Sequence, residues 1–453
     1  MSRFDGTRLG VDVFKLDVER MREGWYSDRY FVNIQRILAT LAETRALYSG
    51  SDPLTLPDGV DANSIRVGDL EVEMQWFSRR RPGTLVCGVD KALAMLALCT
   101  GYHDSSGEWV NTAQHLEVQA VQDGDYAPYG GDAARVTPVI RVRGRYRDFA
   151  HLETPTLGAL SRSSRVATNV YEILNAAAGK PVLFFPARFD AHELQAMDGY
   201  AYHIAVQRYA EDHPKRATPS RVSTDAQGDW WGAEGGGTVA HAAIACFLGD
   251  TPATMIAFAE ILEPAIPRIA LVDFRNDCVR DTLLTMDALW PHYLRARQVG
   301  DGERAARYRL VGVRPDTGAS VRDASVEPTG DPARDNGVTP CLVRTLRAAI
   351  DKAWRRWDVP PGWEEEAASY CRNVGVVATG GFTPNKIRAF EAEKAPVDVY
   401  GVGSWCFRND EETNTDYTAD VVRVKVDGYW VDLSKVGRAA GANPDLRTVP
   451  IRR

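Results

Sequence analysis

Residues 374–384 read VGVVATGGFTP, and the reading of this stretch decides the fold. The run 374–378 is almost continuously apolar, too short for a helix and rich in valine, which predicts a strand buried on both faces. Thr379-Gly380-Gly381 ends it. Thr383 then offers an N-cap hydroxyl and Pro384 a preset first helical residue, so a helix starts at once. A buried strand, a glycine turn and a helix form the repeating unit of a parallel α/β sheet.

Outward from this stretch the same rhythm recurs. Short apolar runs lie at 181–185 (PVLFF), 269–274 (IALVDF), 309–313 (RLVGV) and 397–402 (VDVYGV). Helical patterns fall between them at 155–178, 241–262, 342–357 and 384–395. The repeats predict either a barrel or a doubly wound sheet. Two segments rich in Pro, Gly and Asp, near 212–221 and 315–340, read as excursions from that scaffold.

The first third of the chain follows another pattern. Phe31, Ile34, Ile37, Leu38 and Leu41 recur at helical spacing across 30–47. Residues 70–76 (LEVEMQW) alternate apolar and polar, which predicts a half-buried strand. A further helix is expected over 87–100, and strands at 115–121 and 136–144. This is an α+β layer with one solvated sheet face. Alternating strands return at 421–426 and 428–433 and are expected to pack back on the first domain. The expected domains are 1–146, 147–405 and 406–453.

The 453 residues exceed what one core usually holds. Hydrophobic residues make up 44% and charged residues 25%, ordinary for a globular protein. A net charge of -7 with interspersed signs argues against a nucleic-acid partner, which needs a clustered basic face. The opening MSRFDGTRLGVDVF lacks the apolar core of a secretory signal, and no run approaches a membrane span. Seven scattered cysteines without CxxC pairs suggest neither disulfides nor a zinc site. A cytoplasmic protein without membrane contact is expected.

In a βα barrel the reactive groups gather at the C-terminal ends of the strands. That rule selects Pro186-Ala187-Arg188, Asp273-Phe274, Arg314-Pro315-Asp316, Thr379-Gly380-Gly381 and Gly401-Val402-Gly403-Ser404. Two arginines, two carboxylates and two glycine pairs suit a phosphorylated substrate and a divalent metal. Glycines let a backbone approach a phosphate and helix-start amides point at it, although glycine pairs also make plain tight turns. Asp316 can offer Mg²⁺ oxygen ligands; Asp-Thr-Gly is also an ordinary solvated turn. His241 follows Gly235-Gly236-Gly237-Thr238 at a helix start, where amides can stabilise a nearby anion, and Asp273 is placed to orient its imidazole. Arg79-Arg80-Arg81 reads as a solvated loop.

The chain resembles the nicotinate phosphoribosyltransferases and, more distantly, the nicotinamide and quinolinate phosphoribosyltransferases. The matching stretches are YSDRYF (26–31), GRYRDFAHLETPTLGALSRSSRVAT (144–168), LFFPARF (183–189), GGTVAH (236–241), ALVDF (270–274), VRPDTG (313–318), ATGGFTPNKI (378–387) and VYGVGS (399–404), in the family's order. The resemblance implies an irregular seven-stranded α/β barrel beside an N-terminal α+β sandwich domain. It implies that Phe185 stacks on a pyridine ring, that Arg188 holds the ring's carboxyl group, and that Asp225 and Thr238 lie near the substrate. Tyr30 with Asp28 is implied to reach the site from a neighbouring subunit of a homodimer or higher homo-oligomer. Arg314 and Asp316 take the ribose and metal side, and Gly380, Gly381, Gly401, Gly403 and Ser404 the 5-phosphate.

His241 is implied to be phosphorylated by ATP, a co-substrate, with Asp273 as its partner. The implied reaction joins nicotinate to phosphoribosyl pyrophosphate with Mg²⁺, in NAD biosynthesis. Two other readings are a sister transferase for a different aromatic acid and a catalytically silent regulatory homologue. A lyase or isomerase is disfavoured, since no predicted strand end carries a lysine.

Overall fold

A computed structural model describes residues 7–54, 56 and 58–451. The first six residues of the N-terminal stretch read above lie outside the described ones. The chain divides into two compact units, one formed by 1–169 with 408–453, the other by 170–407. The division falls inside the long helix Glu153–Ala177.

The first unit is built on a six-stranded sheet. Its order is Tyr429–Asp432, Tyr417–Val426, Glu71–Ser78, Ile140–Arg145, Glu117–Ala120 and Arg447–Thr448. Val72, Met74 and Trp76 on one face of the central strand join Ile140, Val142 and the helix Val89–Cys99 in a single hydrophobic cluster. The helix expected over 30–47 is Arg29–Glu43.

The expectation of a half-buried central strand is corrected. Glu73 and Gln75 are fully buried on the opposite face. Glu73 accepts from Arg143 at 2.7 Å and from Arg423 at 2.9 Å, with Arg141 at 3.6 Å. Gln75 donates to the Ala439 carbonyl and accepts from the Gly441 amide, so the C-terminal segment roofs this polar face. Alternation in sequence gave the right period, but the polar residues face arginines and backbone instead of water.

The second unit carries a five-stranded parallel sheet in the order Val182–Phe184, Val399–Val402, Gly375–Ala378, Leu310–Arg314 and Arg268–Leu271. All five expected apolar runs form strands, and the last strand pairs beside the first. A single parallel bridge, Phe184 with Val222, adds an extended segment beyond Val182–Phe184. The helices start where the sequence marks them. Thr339 caps Pro340–Lys352 and Thr383 caps Pro384–Ala392, each followed by its proline.

The helix expected over 241–262 is two. His241–Cys246 stops at Leu248 and Gly249, both in the left-handed region at φ 57° and 81°, and Asp250 caps a new helix, Thr251–Ile261. The Leu-Gly-Asp-Thr-Pro run carries this stop and restart, because only glycine enters the left-handed region without strain and Asp followed by Pro is a helix-start signal. The 315–340 excursion is pinned to the scaffold. Buried Asp323 accepts from the amide of Cys278, and Asn276 donates to the Arg322 carbonyl.

Candidate active site

The ends of the parallel strands bring together His241, Asp273, Arg314 and Asp316. His241 Nε2 lies 3.0 and 3.1 Å from the two oxygens of Asp273. Asp273 follows the strand Arg268–Leu271, and its side chain is 8% exposed against 47% for His241. Burial raises the Asp273 carboxyl above the usual range, while His241 opposes that rise through its charge and hydrogen bond. With Nε2 on a carboxylate, Nε2 carries the proton in the neutral ring and Nδ1 keeps a free lone pair.

One strand over, Arg314 donates to the Val239 carbonyl at 3.0 Å and stands 3.8 Å from Asp316 Oδ2. Burial lowers its pKa, yet an arginine stays cationic in any protein environment. Its Nε is buried without a hydrogen-bond partner among the described residues. Ligating atoms of His241, Asp273 and Asp316 all lie within 4.8 Å of one another. Two carboxylates and an imidazole fit a divalent cation, and the carboxylate oxygens fit Mg²⁺ in particular.

The Thr-Gly-Gly turn closes this end of the site. Gly380 and Gly381 have φ of 96° and 64°, conformations that favour glycine, and a side chain at Gly381 would meet nothing within 4 Å. Gly380 stands beside Asp316 and the Thr317 carbonyl. Thr379 Oγ1 donates to Asp316 Oδ1 at 2.6 Å.

Lys386, which sequence reasoning did not single out, reaches back from the first helical turn to the Gly380 carbonyl at 3.0 Å. Burial holds its ammonium down at about 8. Side chains at a helix start tilt toward the N-terminus, so a lysine three residues after the Thr383 cap points at the preceding turn. That spacing is the signal the sequence offered.

Gly401 and Gly403 lie close against aromatic rings. A Cβ on Gly401 would sit 2.3 Å from the Phe185 ring, and one on Gly403 would sit 2.6 Å from the Phe189 ring. Both glycines make room for aromatic rings. The guanidinium of Arg188 lies 5.2 Å over the Phe189 ring, and its charge is felt at Arg314. Asp225 accepts from the Gly235 amide at 2.8 Å and so fixes the glycine run. Thr238 is half-buried in that run, and Ser404 is exposed where the helix Ser404–Phe407 opens. Tyr30 and Asp28 belong to the other unit. There Tyr30 is 63% exposed and donates to Asp28 Oδ2 at 3.3 Å, while Thr154 donates to the same oxygen.

Residues 60–164 match the family model for the quinolinate phosphoribosyl transferase N-terminal domain. The structure is similar to nicotinate-nucleotide pyrophosphorylase from Pyrococcus furiosus with a TM-score of 0.60 at 22% identity, over 99% of this chain and 86% of that one. It is also similar to human nicotinic acid phosphoribosyltransferase with a TM-score of 0.53 at 16% identity, over 88% of this chain and 74% of that one. In fold the chain is similar to both of these proteins, and over 60–164 also in sequence to the quinolinate phosphoribosyl transferase N-terminal domain. No curated protein matches it in sequence. The cluster at the strand ends of the second unit occupies the position where α/β architectures place their chemistry. No described helix is long and apolar enough to cross a membrane.

Proposed function

We propose that the chain is a cytoplasmic nicotinate phosphoribosyltransferase working with Mg²⁺ and ATP. The observation that carries this reading is the meeting of His241, Asp273 and Asp316 within 4.8 Å, beside a buried arginine at the ends of parallel strands. The pyridine nitrogen attacks C1 of phosphoribosyl pyrophosphate as the bond from C1 to the pyrophosphate oxygen breaks. The transition state has oxocarbenium character, so positioning of the two partners dominates.

Asp316 and Asp273 would hold the magnesium ion, which when bound neutralises charge on the departing pyrophosphate. Arg314 offers its guanidinium to the ribose and phosphate oxygens. The open backbone of Gly381, with Lys386 alongside, takes the 5-phosphate. Phe185 stacks on the base, and Arg188 forks onto its carboxylate while leaning on Phe189. His241 accepts the γ-phosphoryl of ATP on Nδ1 with Asp273 fixing the ring, and loss of that phosphoryl drives nucleotide formation.

The sheet of the second unit is read here as an irregular barrel of seven staves. The extra two are the segment at Val222 and the stretch 236–239, whose Gly236 amide donates to the Val222 carbonyl. Tyr30 and Asp28 come from a second copy in a homodimer or higher assembly.

The test is an assay with Mg²⁺ and phosphoribosyl pyrophosphate, offering nicotinate, nicotinamide and quinolinate, each with and without ATP. Nicotinate-dependent pyrophosphate release stimulated by ATP, with the stimulation lost in His241→Ala, supports the reading. Binding of phosphoribosyl pyrophosphate without turnover of any of the three overturns it in favour of a sister transferase for another aromatic acid.

A further inference from the structure

Asp316 is held by an interaction that the reaction itself does not call for. The Thr379 hydroxyl stands 2.6 Å from Asp316 Oδ1 and 3.2 Å from the Pro315 carbonyl. Both partners are acceptors, and a hydroxyl has one proton. It goes to the shorter bond, the one with the charged acceptor, because charge-assisted hydrogen bonds are shorter and stronger. Thr379 is 1% exposed, so water does not compete for that proton.

The threonine is itself fixed. Its amide donates to the Pro315 carbonyl at 3.3 Å, tying the end of strand Gly375–Ala378 to the segment that carries Asp316. Gly380 follows immediately at φ 96° and packs beside the same carboxylate, where an added Cβ would lie in ordinary contact with Oδ1 at 3.6 Å.

We propose that Thr379 is a positioning residue for the metal site. Its proton occupies Oδ1 and turns Oδ2, which lies 3.8 Å from Arg314, toward the divalent cation. The hydroxyl of this strand end is thereby committed to a carboxylate and is not a donor for the substrate's phosphate. Metal ligands held by an outer hydrogen bond typically lose about 10- to 100-fold in metal affinity when that bond is removed. The inference rests on the reading of Asp316 as a metal ligand.

The experiment measures Mn²⁺ binding to the full chain without substrates, by electron paramagnetic resonance of the free ion. It compares the wild type with Thr379→Val, Thr379→Ser, Thr379→Ala and Asp316→Asn, with circular dichroism melts run in parallel. Thr379→Val is expected to weaken Mn²⁺ binding by about tenfold or more and Thr379→Ser to restore it, with unchanged melts. The Mg²⁺ concentration for half-maximal turnover should move with the Mn²⁺ affinity, while KM for phosphoribosyl pyrophosphate at saturating Mg²⁺ stays within about twofold.

If Thr379→Val does not fold, the contrast between Thr379→Ala and Thr379→Ser decides in its place. Wild-type Mn²⁺ affinity in Thr379→Val or Thr379→Ala, with binding lost in Asp316→Asn, overturns the positioning role alone. Undiminished binding in Asp316→Asn overturns the metal reading of Asp316 and the proposal with it.

Discussion

His241 presents two ring nitrogens, and the structure gives them different fates. Nε2 is spent on Asp273, so under the ATP coupling we propose a phosphoryl group would find its lone pair at Nδ1. Asp273→Asn is expected to present its amide to the ring, favour the other tautomer and slow phosphorylation of His241 by about 10²-fold or more. Phosphorus NMR of the denatured phosphoprotein checks the isomer and its rate of formation. A signal from the Nε2 isomer would contradict the assigned roles.

Lys386 yields a prediction with a sign. Its ammonium is held down at about 8, so it is charged below that pH and loses its charge as the pH rises through it. Affinity for phosphoribosyl pyrophosphate should therefore fall between about pH 7 and 9. Lys386→Met should weaken binding about tenfold at pH 7 and flatten the profile, as expected for losing a charged hydrogen-bond donor. Titration calorimetry across that range reads both effects.

At this scale the sequence revealed residue types at strand ends but not their commitments. His241 and Asp273 were legible as a pair because a helix start and a strand end recur in every βα unit. That Gly401 and Gly403 seat Phe185 and Phe189 was not legible, since a glycine that yields to a ring and one that yields to a phosphate look alike.

Among the elements, the five parallel strands could be read directly because each lies in a short, nearly continuous apolar run. The central strand of the first unit could be read only in part. Its period of two showed, but the roof over its polar face is a C-terminal segment more than 350 positions away, and local periodicity carries no such information. Glu73 makes that difference measurable. It is fully buried and compensated by Arg143 and Arg423 from the two flanking strands. Glu73→Ala leaves those arginines, each 31% exposed, without their common partner, and losing charged hydrogen bonds of this kind costs about 1.5–3 kcal/mol. Urea unfolding should show a loss of that size. A change below about 1 kcal/mol would mean that water reaches this face.

For the molecule as a whole, the two units hold different parts of the expected machinery. His241, Asp273, Arg314 and Asp316 lie in one, and Tyr30 with Asp28 lies exposed in the other. If a second copy supplies Tyr30, the two kinds of residue that complete one site come from different chains. A site then survives when a chain with intact His241 meets a partner with intact Tyr30, whatever else each has lost. Tyr30→Ala and His241→Ala proteins, each deficient in ATP-stimulated turnover alone, are expected to complement when mixed, dissociated and reassembled. In a two-fold dimer, half of the random assemblies are mixed and each has one intact site of two, so about a quarter of the wild-type stimulated rate should return. Should Tyr30 serve the site of its own chain, every site in the mixture carries one defect and the rate stays at the level of the single variants. The yield of complementation thus separates a shared site from a private one without reference to the shape of the interface.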